Sequence, residues 1–155
     1  SPASKTTVGP AFTKPPRFNH IAMSVPAELL AIEGRDEIKA FYGDVFGFEE
    51  YEELTKDRHM LVLRAHSHEQ FVFLISEDEP MKAPRLDHVG MSVASLDDFN
   101  AVLERARAWK EKLGDDIDLI ESKVEEYVGA LNLHSFYVGY KLPLLFELQY
   151  FEYLF

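Results

Sequence analysis

The sequence predicts an α+β fold in which one unit, a strand followed by a helix and further strands, occurs twice. Three observations carry this. The stretch Phe18-Asn19-His20-Ile21-Ala22-Met23-Ser24-Val25 returns later as Leu86-Asp87-His88-Val89-Gly90-Met91-Ser92-Val93, with His, Met, Ser and Val in register. A helical pattern ending in glycine follows each copy. The rest of each half consists of short apolar runs broken by polar turns, the pattern of strands. Self-similarity of this kind means two copies of one supersecondary unit.

Residues 1–16 are rich in Pro, Ser, Thr and Gly with little to bury, and are read as a flexible N-terminal arm. A single domain over 17–155 is expected to follow, its units spanning 17–78 and 85–155 with a proline-bearing linker at 79–84. In the first strand Ile21, Met23 and Val25 share one face, while His20, Ala22 and Ser24 share the other. A connection over 26–34 leads to a helix over 35–47, where Ile38, Phe41, Tyr42 and Val45 recur at helical spacing and Gly47 suits the left-handed stop. Strands are expected at 48–54, 60–65 and 71–76. In the second unit the strand over 86–93 meets Ser95-Leu96-Asp97-Asp98, a capping-box-like start with a carboxylate three residues past the hydroxyl. Leu96, Phe99, Val102, Leu103, Ala106 and Trp109 form the apolar stripe, Gly114 ends it, and strands are expected at 123–127, 134–138 and 144–150.

A chain of 155 residues with 46% hydrophobic residues, including 12 Phe and 7 Tyr, has enough to bury a real core. A formal net charge of −11 argues against nucleic-acid partners and anionic membranes, both of which call for a basic face. No apolar run is long enough to span a bilayer. With Cys 0, disulfides and thiolate metal sites are excluded, and a cytoplasmic location is the default expectation.

Three side chains carry chemistry. His20 and His88 stand at matched positions among small residues, so each imidazole borders open volume instead of being packed shut. Glu147 interrupts the apolar run Leu144-Leu145-Phe146-Glu147-Leu148. A carboxylate on such a strand requires a partner, because an unpaired charge in a dry interior is costly. Two histidines and one carboxylate make a ligand set that suits Fe(II) or Mn(II), accepts Zn(II), Ni(II) or Co(II), and leaves coordination positions open.

These words, together with Ala40-Phe41-Tyr42, Phe46-Gly47-Phe48 and Ser135-Phe136-Tyr137-Val138, resemble the vicinal oxygen chelate superfamily. It includes glyoxalase I, extradiol dioxygenases, methylmalonyl-CoA epimerase, fosfomycin-resistance transferases and bleomycin-resistance proteins. The resemblance covers the chain from Phe18 to about Tyr150. It implies two βαβββ modules forming a cupped, partly open barrel-like mixed sheet with helices outside. It places His20 and His88 at the first-strand metal positions and Glu147 at the last-strand position. Tyr137, ten residues before Glu147, falls at the spacing of a tyrosine that reaches the substrate side of the metal, and is the candidate catalytic residue. The resemblance further implies a homodimer, with modules pairing either within a chain or between chains.

Several features depart from the family pattern. Tyr140-Lys141-Leu142-Pro143 replaces the usual Asp-Pro-x-Gly turn. Superposing the two final strands sets Leu74 opposite Glu147, where glyoxalases carry a fourth ligand. The acid/base histidine of extradiol enzymes has no counterpart, since His134 would face away from Tyr137 on a regular strand. The function expected is therefore that of a metal-dependent enzyme binding a substrate through two vicinal oxygens, with an extradiol-type dioxygenase (oxidoreductase) first. A lyase, isomerase or thiol transferase on the same site is the alternative, as is a non-catalytic drug-binding protein of the bleomycin-resistance type.

Overall fold

The computed structural model describes residues 14–155, so most of the N-terminal arm lies outside the described residues. The first half forms β1 (His20–Val25), a 3-10 turn (Ala27–Leu30), α1 (Ile32–Phe46), β2 (Glu49–Glu50), β3 (Met60–Arg64) and β4 (Phe71–Ser76). The second half forms β5 (His88–Ser92), α2 (Leu96–Leu113), a 3-10 turn (Gly114–Asp116), β6 (Asp118–Tyr127), β7 (Leu131–Gly139) and β8 (Leu145–Tyr153). Among the described residues two four-stranded mixed sheets result, ordered β1-β4-β3-β2 and β5-β8-β7-β6, and neither closes into a barrel. In each, the histidine strand runs parallel to the last strand and occupies one edge. No helix among the described residues is long and apolar enough to cross a membrane.

Both helices form for the reasons the sequence states. In α1, Ile38, Phe41, Tyr42 and Val45 are buried, and Gly47 at φ 76° closes the helix by donating its N–H to Gly43. At α2 the Ser95 hydroxyl accepts the Asp98 N–H at 3.1 Å, and Phe99, Leu103 and Ala106 face the core. Boundaries differ where local bonding competes with the pattern. The expected connection over 26–34 instead folds into the 3-10 turn and the start of α1, packed so tightly that a Cβ on Gly34 would lie 2.6 Å from the Glu28 carbonyl oxygen. The first hairpin's leading strand shrinks to Glu49–Glu50 because Leu54 and Thr55 donate back to the Tyr51 carbonyl, curling 51–55 into a turn. In the second half β6 begins at Asp118, with a bulge between Ile120 and Lys123.

The core lies between the sheets. Helix α1 sets Phe46 against Phe146 of β8 at 5.9 Å and Phe41 against Trp109 of α2 at 5.4 Å between ring centroids. Tyr42, fully buried, donates to the Tyr140 carbonyl at 2.8 Å, and its oxygen accepts the Tyr140 N–H at 3.3 Å. Burial pushes this phenol above its ordinary pKa, so it stays a neutral donor. Tyr42→Phe should cost about 1–3 kcal/mol in denaturant unfolding, since it leaves a buried carbonyl and N–H without their shared partner.

This packing decides which way the cups face. Met23, Val25, Leu61, Leu63, Val72 and Leu74 of the first sheet, with Phe136, Phe146 and Leu148 of the second, turn toward the helices and belong to one core. Within one chain the helices therefore lie between the two sheets, and the opposite face of each sheet, which carries its histidine, turns outward. The helices stand outside both cups.

Candidate metal centre

The outward face of the second sheet gathers three of the expected residues. His88 on β5, Glu147 on β8 and Tyr137 on β7 come together because Gly90 pairs with Glu147 and Tyr137 pairs with Glu147 across adjacent strands. His88 Nε2 lies 3.3 Å from Glu147 Oε1, and the His88 and Tyr137 rings meet edge to face at 5.1 Å. Glu147 is only 8% exposed although it stands on this face. Burial first, and then the neighbouring Glu147 carboxylate, hold the Tyr137 phenol above its ordinary pKa, so the hydroxyl stays protonated.

The imidazoles are oriented in the same way. His88 Nδ1 lies 2.8 Å from the Leu86 carbonyl, and His20 Nδ1 lies 2.8 Å from Asn19 Oδ1. A carbonyl oxygen only accepts, so Nδ1 is the donor in both contacts, as in metal-ligating histidines, and Nε2 is the nitrogen left for a ligand; in His88 it is the one beside Glu147. The His20 ring also stacks on Phe71 at 4.8 Å and 7°. These orienting partners were not picked out from the sequence; Asn19 and Leu86, so close to their histidines, were the available signal.

His20 does not meet the other two residues within one chain. Among the described residues no three His, Asp or Glu side chains converge, because the first sheet's outward face points away from the second's. His134 behaves as its alternation predicts: it faces the helices, edge-on to Phe99 and 3.0 Å from Glu152, whose carboxyl this contact holds below its ordinary range. Lys141, at φ 62°, carries the unusual loop back onto α1 through a 2.8 Å contact with Glu37.

A model of the Glyoxalase/Bleomycin resistance protein/Dioxygenase superfamily matches residues 17–114. The chain belongs to that superfamily. Solved structures of the superfamily's fold are similar over most of their length. A putative glyoxalase family protein from Bacillus anthracis is 22% identical, covering 89% of this chain and 97% of that one at TM-score 0.55. A glyoxalase/bleomycin resistance protein/dioxygenase from Alicyclobacillus acidocaldarius is 15% identical, with coverage of 90% and 95% and TM-score 0.56. A mutant of the fosfomycin resistance protein FosX from Listeria monocytogenes, complexed with Mn(II) and 1S,2S-dihydroxypropylphosphonic acid, is 17% identical, with coverage of 85% and 89% and TM-score 0.57. No curated protein matches the chain.

The superfamily's repeat makes the two sheets comparable position by position, and this corrects one expectation. His88 pairs with Leu145 and Gly90 with Glu147, whereas His20 pairs with Phe71 and Ala22 with Phe73. The counterpart of Glu147 is therefore Phe73, and Leu74 lies beside Met23 in the helix-facing core, fully buried. The absence of a fourth carboxylate stands, with an aromatic ring at its place. Phe73→Glu should tighten retention of a divalent ion by about tenfold in chelator competition by adding a carboxylate, whereas Leu74→Glu cannot, because its side chain points into the core.

Proposed function

We propose that this superfamily member is a metal-dependent enzyme whose substrate binds through two neighbouring oxygens, with His20, His88 and Glu147 as ligands and Tyr137 as the catalytic hydroxyl. The observation that carries the reading is the outward-facing group of His88, Glu147 and Tyr137, matched by a His20 whose Nδ1 is anchored in the same way. The donor chemistry fits a divalent ion such as Fe(II) or Mn(II): two imidazole Nε2 lone pairs and one carboxylate, with no thiolate. Bound there, the ion would polarise two adjacent substrate oxygens and, as iron, give access to dioxygen.

The protein's own residues define the rest. A protonated Tyr137 donates a hydrogen bond to a substrate oxygen and stabilises charge that develops on it. Phe73 keeps a carboxylate out of the fourth position, which leaves room for a bidentate ligand. This favours an extradiol-type dioxygenase over a glyoxalase; a lyase, isomerase or thiol transferase would use the same group. Because His20 faces away from its partners within a chain, we take it from a second copy, so the working unit is a homodimer in which each of two sites draws on both chains.

Elemental analysis of protein purified without chelator tests the reading, and about one divalent ion per chain is expected. Catechol should shift the visible spectrum of Co(II)-loaded protein, and the hemithioacetal of methylglyoxal and glutathione should turn over slowly. Protein that retains no metal, or that processes the hemithioacetal efficiently, would overturn it.

A further inference from the structure

The outward face of the first sheet carries a row of side chains set by strand register: His20 on β1, Phe71 on β4, Arg64 on β3 and Glu49 on β2. The next row adds Ala22 and Phe73, and ends at Val62, which is fully buried. Beside His20 this face is aromatic for the width of one strand, the Phe71 ring stacking on His20 at 4.8 Å and meeting Tyr51 edge-on at 6.4 Å, and it then ends in a cation. Arg64 Nη2 contacts Glu49 at 2.8 Å and Nη1 contacts His68 at 3.2 Å, leaving further N–H groups of the guanidinium beyond those two contacts. The Glu49 side chain is 70% exposed, and an ion pair of that kind contributes little, so another anion can take its place. Neighbouring strands lie about 4.8 Å apart, which sets the His20 and Arg64 backbones about 10 Å from each other.

We propose that Arg64 is a specificity-determining residue, and that the substrate is an aromatic ring with two adjacent oxygens at one end and a carboxylate at the other. The inference rests on the metal-centred reading above and adds the substrate class. The vicinal oxygens meet the ion held beside His20, the ring lies on Phe71 and Phe73 by offset or edge contacts, and the carboxylate reaches Arg64. Span and chemistry agree: one benzene ring with its substituents bridges a metal ligand and a guanidinium two strands away. Arginine suits the role because its planar fork matches a carboxylate with paired, charge-assisted hydrogen bonds.

The test titrates the Co(II)-loaded full-length protein with 3,4-dihydroxybenzoate and with 4-methylcatechol, followed by visible absorption, with cobalt content and melting temperature measured in parallel. The acid should bind about tenfold more tightly than the methyl compound. Arg64→Gln should erase that preference by weakening the acid alone, Arg64→Lys should keep part of it, and Glu49→Gln should sharpen it by removing the competing carboxylate. A purely packing role for Arg64 would weaken both ligands equally and leave Glu49→Gln without effect. Equal binding of the two ligands by the wild type, or a preference that survives Arg64→Gln, overturns the inference while the metal reading stands. Failure to load Co(II) at all overturns the metal reading and this inference with it.

Discussion

Glu147→Gln should weaken retention of the divalent ion by at least about a hundredfold, and His88→Ala should do the same. Replacing even the groups that orient a ligand costs 10- to 100-fold, and these substitutions remove ligands outright. Glutamine keeps the shape of the side chain but loses its charge, so the loss reports on coordination and not on packing. Stability separates the two explanations further. A carboxylate that is 8% exposed beside an imidazole is a strained arrangement without a cation, so metal-free Glu147→Gln should melt no lower than metal-free wild type. The metal-loaded wild type alone should gain stability from added ion, because binding to the folded state shifts the unfolding equilibrium. Full metal occupancy in Glu147→Gln and in His88→Ala would show that the ligands lie elsewhere.

The parts of the fold that were legible in the sequence are those where a polar residue marks the face of an element. His20 and Ser24, like His88 and Ser92, punctuate apolar neighbours at a period of two, so strand, face and repeat could all be read. The helix ends were marked by Ser95 and Gly47, whose chemistry suits those positions alone. Phe71-Val72-Phe73-Leu74-Ile75 is apolar throughout and gives no sign of which face each residue takes; Leu74 was matched to Glu147 for that reason, and only the pairing of Ala22 with Phe73 resolves it. The short β2 was hidden because the turn at Tyr51 is made by backbone bonds that Glu52 and Glu53 do not announce.

The site was half legible for a related reason. Residue types and strand alternation are local properties, and they single out His20, His88 and Glu147 as candidates. Which way two sheets turn relative to each other is set by long-range packing. Here it depends on Tyr42 bonding to Tyr140 and on Phe46 meeting Phe146, contacts between halves of the chain that no local pattern contains. Arg64 illustrates the same limit. In sequence it is one charge at the end of an apolar run, and it becomes informative once β4 sets Phe71 between it and His20.

That outward orientation leads to the sharpest expected result. If each site takes His20 from one copy and His88 with Glu147 from the other, His20→Ala and His88→Ala proteins should each fail to hold metal, yet restore it to one another when mixed. After unfolding and refolding together in equal amounts, half of the dimers are statistically mixed. In a mixed dimer one site lacks both histidines, while the other receives His20 from the His88→Ala chain and His88 from the His20→Ala chain. Recovery should therefore approach about a quarter of wild-type occupancy, without any change in total protein. The two edge strands make such pairing physically reasonable, since among the described residues β1 and β5 each have one unpaired side, and an edge strand exposed in one chain is a template for another. Measured metal in the mixture, compared with each variant alone, gives the answer. A site closed within one chain predicts no recovery, and a sedimentation profile showing only the 17.8 kDa monomer would exclude the shared site independently.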